Sequence, residues 1–236
     1  MSKTNVIKFV TDDAYIYDHR PMAPSLKYAP EWWKKLPRRM VSQDPRNAHL
    51  NPTAKGCPGF VDLYKYSFAL PIDMELELSE YVTEDNKIGL RWTSEDAGSI
   101  HPDVQTGGAF ADRYHHFKIH HKWSFATETP ENFLITNNFW GDRLNIHVLN
   151  GVMTICKNAV PMRTNMFIPK GFGSLRFKYG DIIAHAIPLS GKKYVVEKEH
   201  MIGEEYDKYH RYNITFSRAH LDAKRIRKEM ASYDSN

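Results

Sequence analysis

The segment Tyr114–Thr127 constrains this chain more than any other. Phe117, Ile119, His121, Trp123 and Phe125 take alternate positions, with His116, Lys118, His120, Lys122 and Ser124 between them. Side chains alternate across a β-strand with a period of two, so the segment reads as a strand with an apolar face and a basic face. A one-residue slip would put every aromatic ring in water. Burying those rings requires a second apolar layer opposite them.

The rest of the chain supplies that layer. From Thr53 onward the pattern is β, beginning with the aromatic and aliphatic run from Phe60 to Leu70. Met74, Leu76 and Leu78 alternate with Glu75 and Glu77, and residues 88–93 answer as a hairpin partner across a polar turn. Further strands are expected at 132–136, 144–149, 152–156 and 165–168, with Asn150-Gly151 as a hairpin turn. Gly171, Gly173 and Gly180 then lead into an apolar run ending at Pro188. Many short strands separated by turns predict a mainly β, single-domain β-sandwich or jelly roll of the double-stranded β-helix kind.

Residues 1–52 read as a proline-rich arm, because prolines at 21, 24, 30, 37, 45 and 52 each remove a donor and fix φ. Pro30 and Glu31 open one or two helical turns that Pro37 stops, and either Trp32 or Trp33 is expected to anchor the arm. The sandwich is expected over 53–216. Residues 217–236 read as a basic C-terminal helix capped by Ser217.

Hydrophobic residues make up 42% of the 236 and charged residues 25%, enough for one ample core. The 32 basic and 28 acidic residues are interspersed, so no basic stripe marks a nucleic-acid surface. A small molecule or a protein is the expected partner, and an oligomer is compatible with these features. Cys57 and Cys156 cannot form a disulfide framework, and Cys57 reads as a buried turn residue. There is no apolar leader and no membrane-length run, so a cytoplasmic protein with reduced thiols is expected.

Two histidine patterns carry candidate chemistry. His101 and Asp103 project to the same side of an extended segment, and His185 follows on an apolar run after Gly180-Asp181. Two imidazoles and one carboxylate on one face can hold a ferrous ion with other positions open. The bland alternative is that His101 begins a loop turn and His185 is a hydrogen-bonded core residue. The second pattern is His115-His116 with His120-His121. His116 and His120 lie about 13 Å apart on a straight strand, too far for one metal. With Lys118 and Lys122 they read as a positively charged solvent or partner face. No Gly-x-Ser-x-Gly elbow, phosphate-binding loop, Cys-x-x-Cys pair or His-Glu-x-x-His run occurs.

The order His101-x-Asp103, His185, then Lys192-Lys193 resembles the Fe(II)/2-oxoglutarate oxygenases over about residues 95 to 195. That resemblance implies His101, Asp103 and His185 as metal ligands, with Lys192 or Lys193 holding the 2-oxoglutarate carboxylate. Pro102 and the short spacing from His185 to the lysines depart from the family pattern.

Several longer motifs run from Ala29-Pro30-Glu31-Trp32-Trp33 through Lys55-Gly56-Cys57-Pro58-Gly59-Phe60 and Lys122-Trp123-Ser124-Phe125 to Gly180-Asp181-Ile182-Ile183-Ala184-His185. Across about residues 5 to 200 the chain resembles a family of short proteins encoded by tailed phages and some bacteria. The resemblance implies a phage-related context, in the host cytoplasm or the virion, and a β-sandwich core. It implies no activity. A non-enzymatic viral structural or accessory binding protein is therefore the alternative to the oxygenase.

Overall fold

The computed structural model describes residues 4–19, 22–41, 44, 46, 50–101, 108–138, 146–156 and 160–211. Its strands are β1 (Asn5–Thr11), β2 (Ala23–Pro24), β3 (Arg39–Val41), β4 (Leu50–Pro52), β5 (Phe68–Pro71), β6 (Leu76–Val82), β7 (Ile88–Trp92) and β8 (Gly98–Ile100). They continue with β9 (Tyr114–Thr127), β10 (Glu131–Asn137), β11 (His147–Val148), β12 (Gly151–Ile155), β13 (Val160–Pro169), β14 (Ser174–Phe177), β15 (Ile182–Pro188) and β16 (Tyr194–His200). The helices are α1 (Ala14–His19), α2 (Glu31–Lys35), α3 (Pro58–Tyr66) and α4 (Glu204–Arg211). The fold is mainly β, as its alternating segments predict.

Two sheets enclose the main core. The larger runs β11-β13-β9-β1-β16, with β8 also paired to β9; the second runs β12-β10-β15-β5-β2. Between them Phe9 meets Phe125 at 4.8 Å and Phe68 at 6.0 Å, and Phe68 reaches Phe133 at 6.4 Å. The smaller sheet β14-β6-β7 adds Leu76, Leu78, Leu90 and Phe177 to the same core.

β9 is the organising strand, and its apolar face is the one its alternation predicts. Phe117, Ile119, Trp123 and Phe125 are all buried, each burial favourable by roughly 1.5–3 kcal/mol. His115 and His121 are buried on that face too, whereas Lys118, His120 and Lys122 on the other are half-buried rather than fully exposed. One edge of β9 pairs with β13 along most of its length; the other pairs first with β8 and then with β1. The close approach of β8 requires Gly98, since a Cβ there would run into the Lys118 carbonyl and the Phe117 ring. Between β8 and β1 the Lys122 amide is left to the Asp73 carboxylate, which accepts its hydrogen bond.

Residues 1–52 are not an arm throughout. β1 lies inside the larger sheet, antiparallel to β9 and parallel to β16. The prolines begin only at 21, and the β-branched and aromatic run Val6-Ile7-Lys8-Phe9-Val10 precedes them all. The Pro-rich part is tied down as expected. Trp33 is buried with Ala29 and Tyr64 in a satellite core, while Trp32 is 52% exposed.

Three other expectations change. Residues 58–66 form α3 rather than a strand, with Pro58 supplying the preset φ of a first helical turn. Cys57, just before that helix, is exposed rather than buried. Asn150-Gly151 does not close a hairpin: β11 joins β13 in the larger sheet, while β12 joins β10 in the second. The dipeptide carries the chain from one layer to the other. The basic helix expected over 217–236 lies outside the described residues. None of the described helices is long and apolar enough to cross a membrane.

Candidate functional site

His185 sits in the middle of β15. Its neighbours Ala184 and Ala186 join the main core, so the imidazole turns to the outward face of the second sheet. There it is fully buried beneath Ser25, Ser67 and the edge of the Tyr64 ring, 5.6 Å away. Asn138 Nδ2 donates to the Ile182 carbonyl, leaving Asn138 Oδ1 to accept from His185 Nε2 at 3.2 Å. Nδ1 then accepts from Ser25 Oγ at 2.8 Å, and Ser25 Oγ accepts from Ser67 Oγ at 2.7 Å. Burial pushes the imidazole down to about 4, so the ring is neutral and both nitrogens serve this chain of bonds.

His101 lies on the other side of the molecule. Its amide donates to the His116 carbonyl at 2.9 Å, and its ring stacks on His116 with centroids 4.4 Å apart. His116 projects from the outward face of the larger sheet, opposite to its buried neighbours His115 and Phe117. His101 and His185 therefore occupy the outward faces of opposed sheets, with the main core between them. The structure does not bring these two imidazoles together, and ligand bonds of about 2 Å cannot span a core. Asp103 lies outside the described residues. Lys192 Nζ is 4.0 Å from Glu131 Oε2, in the turn after β15, and Lys193 is exposed with its carbonyl accepting from Asn5 Nδ2.

The histidines on the core face of β9 are cross-links. His115 Nε2 lies 2.9 Å from Glu80 Oε1, and the Gly171 and Gly173 amides donate to the same carboxylate. Burial opposes ionisation of Glu80, but those amides and His115 outweigh it and hold the carboxyl below its ordinary range. His121 bonds Thr164 Oγ1 at 2.9 Å, and burial pushes its imidazole down to about 4.

The basic face of β9 is different. Arg163 on β13 stands directly across from His120, and Asn165 across from Lys118. From the other side, Ser99 Oγ lies 3.1 Å from His120 Nε2. Partial burial and then Arg163 depress the Lys118 ammonium; partial burial, Arg163, Lys118, His121 and His101 depress His120. Among the described residues, every charged neighbour acting on these two groups is a base. The strand sequences agree, since neither 114–127 nor 160–169 contains an Asp or Glu.

Toward the start of β9 the same face becomes aromatic. Phe167 packs 5.0 Å from His116 and 5.7 Å from Tyr114; Phe110, 39% exposed, lies 5.1 Å from Phe167. Arg113 stands 5.9 Å from the Tyr114 ring, and the exposed His147 lies 6.3 Å from it. A ring-rich end and a cationic end thus share one strand face. Sequence reasoning identified His116, Lys118, His120 and Lys122 but missed Arg163 and Ser99, which only strand register brings alongside.

A second concavity, about 410 Å³, is lined by Tyr81, Leu90, Arg91, Trp92 and Glu95 at the β6–β7 hairpin. Its one acid and one base leave it without net charge. No protein-family model and no curated protein matches the chain.

Proposed function

We propose that this chain is a binding protein of the accessory or structural kind found in tailed phages, and that the outward face of its larger sheet receives an anionic partner. The observation carrying this reading is the geometry that sets Arg163 directly across from His120 and beside Lys118, with only bases, among the described residues, acting on Lys118 and His120. Adjacent like charges cost stability, and an anion seated among them turns the repulsion into attraction. Ser99 adds a hydroxyl at the same place. The oxygenase reading has less support, because it needs His101 and His185 side by side and a free lone pair on His185.

Fluorescence anisotropy with a labelled heparin fragment tests the proposal. At low salt the protein binds, and the Lys118→Gln/Arg163→Gln double variant binds at least about tenfold more weakly. Absence of binding by the unaltered protein would sink the reading. A companion melt under argon with Fe(II) and 2-oxoglutarate leaves Tm unchanged. A rise in Tm abolished by His185→Gln would restore the oxygenase.

A further inference from the structure

We infer that the anion held by this face is single-stranded nucleic acid; the inference rests on the binding reading above and adds the class of partner. The face offers two kinds of contact in line. Lys118, His120 and Lys122 recur every second residue along β9, about 6.6 Å apart, with Arg163 beside them. Beyond His116 come Tyr114 and the exposed Phe110 and His147, grouped over the buried Phe167 with ring distances of 5.1 to 6.4 Å. From Tyr114 to Lys122 the strip is about 26 Å long at strand rise, room for several nucleotides of an extended backbone.

The combination discriminates among anions. Cations that track a phosphodiester backbone, with aromatic rings on which unpaired bases stack, make up the general recognition mode for single strands. A duplex keeps its bases stacked inside and would use the cations while leaving Phe110 and Tyr114 idle. An acidic peptide also pairs with the cations but brings no π face to the rings. Phe110 is exposed, and Arg113 against Tyr114 adds positive charge beside the stacking surface.

The test uses the full chain and a fluorescein-labelled oligothymidylate of about 12 nucleotides, read by anisotropy beside the heparin fragment and an oligoglutamate. Expected is tighter binding of the oligothymidylate than of either competitor. Phe110→Ala/Tyr114→Leu should weaken the oligothymidylate about tenfold or more and leave heparin unchanged, since only bases stack. Leucine at 114 keeps apolar volume against Phe167, and Tyr114→Phe, which retains the ring, should bind like the unaltered protein. Lys118→Gln/Arg163→Gln should weaken both ligands and lower the slope of log K against log salt by about 1.4. Heparin and oligothymidylate bound alike, with the ring variant changing neither, would overturn the inference while the anion-binding reading stands. Tighter binding of oligoglutamate would do the same. Binding of none of the three would overturn both.

Discussion

The outward faces of the two sheets carry histidines in opposite circumstances. On the second sheet, His185 is covered by the segment bearing Ser25 and by α3, and its two nitrogens complete a chain from Ser67 to Asn138. On the larger sheet, His120 is half-buried among bases, with Ser99 Oγ 3.1 Å from its Nε2. The same side chain seals one face under its cover and on the other lies half-buried beside Lys118 and Arg163, which disfavour its charged form. What covers a strand decides what its histidines do.

The largest expected effect separates these two roles. His185→Ala should cost about 3–4 kcal/mol in urea denaturation, because it opens a cavity and strips partners from buried Ser25 and half-buried Asn138. His120→Ala should cost under about 1 kcal/mol. Equal losses would erase the contrast between the faces. The satellite core is the next lever: Trp33→Ala should cost about 3 kcal/mol and Trp32→Ala within about 0.5 kcal/mol, since only Trp33 is buried with Tyr64. Limited proteolysis should then cut Trp33→Ala faster within residues 20–50 than the unaltered protein.

Acid and base limbs of the stability curve sharpen the comparison further. His185 and His121 both have folded values near 4, below the ordinary 6.5. Their stabilising effect is whole above about pH 6.5 and is lost as pH falls toward 4, because the unfolded chain takes the protons first. Asp73 works the other way. Burial raises it to about 6 from 3.8, against the pull of the Lys122 amide, so above pH 6 the folded chain carries a poorly solvated carboxylate. Asp73→Asn keeps an acceptor for that amide. It should raise stability at pH 8 by about 2 kcal/mol, with the gain shrinking as pH falls from about 6 and nearly gone below about 4. A loss at pH 8 would show that the ionised carboxylate is needed there. The smallest effect belongs to the open face: Arg163→Gln should stabilise by a few tenths of a kcal/mol at low salt and by nothing at about 1 M salt, as screening removes the repulsion it relieves.

How much of this was legible in the chain depends on range. The buried face of β9 follows from alternation within one segment, and the Trp33 anchor from a short Pro-bounded helix. The His185 network does not, because Ser25 is 160 residues away and Asn138 is 47. Nothing local marks Ser25 or Ser67 as its cover. α3 left a usable signal in Pro58 at its start and in Phe60 and Tyr64 four apart, one helical turn, but the aromatic run masked it. The basic face of β9 was legible from alternation, but its Arg163 was not, because Arg163 joins it only through the pairing of β13 with β9. Asn150-Gly151 was misread for a related reason: turn chemistry says that the chain bends, not which layer it enters next.

The parallel pairing of β1 with β16 has a consequence for how the chain is made. Asn5 pairs with Tyr194, so β1 leaves the ribosome and waits for a partner synthesised about 190 residues later. At 5–20 residues per second that delay is about 10–40 s. Even its nearer partner, the Phe125 region of β9, follows by more than a hundred residues. During the interval Ile7, Phe9 and Val10 have no sheet to enter, and an apolar strand with two open edges is the kind of segment that sticks to its own copies. The larger sheet is therefore completed only after β16 has been made. Yield of folded protein should depend on crowding of nascent chains far more than on the stability of the finished molecule.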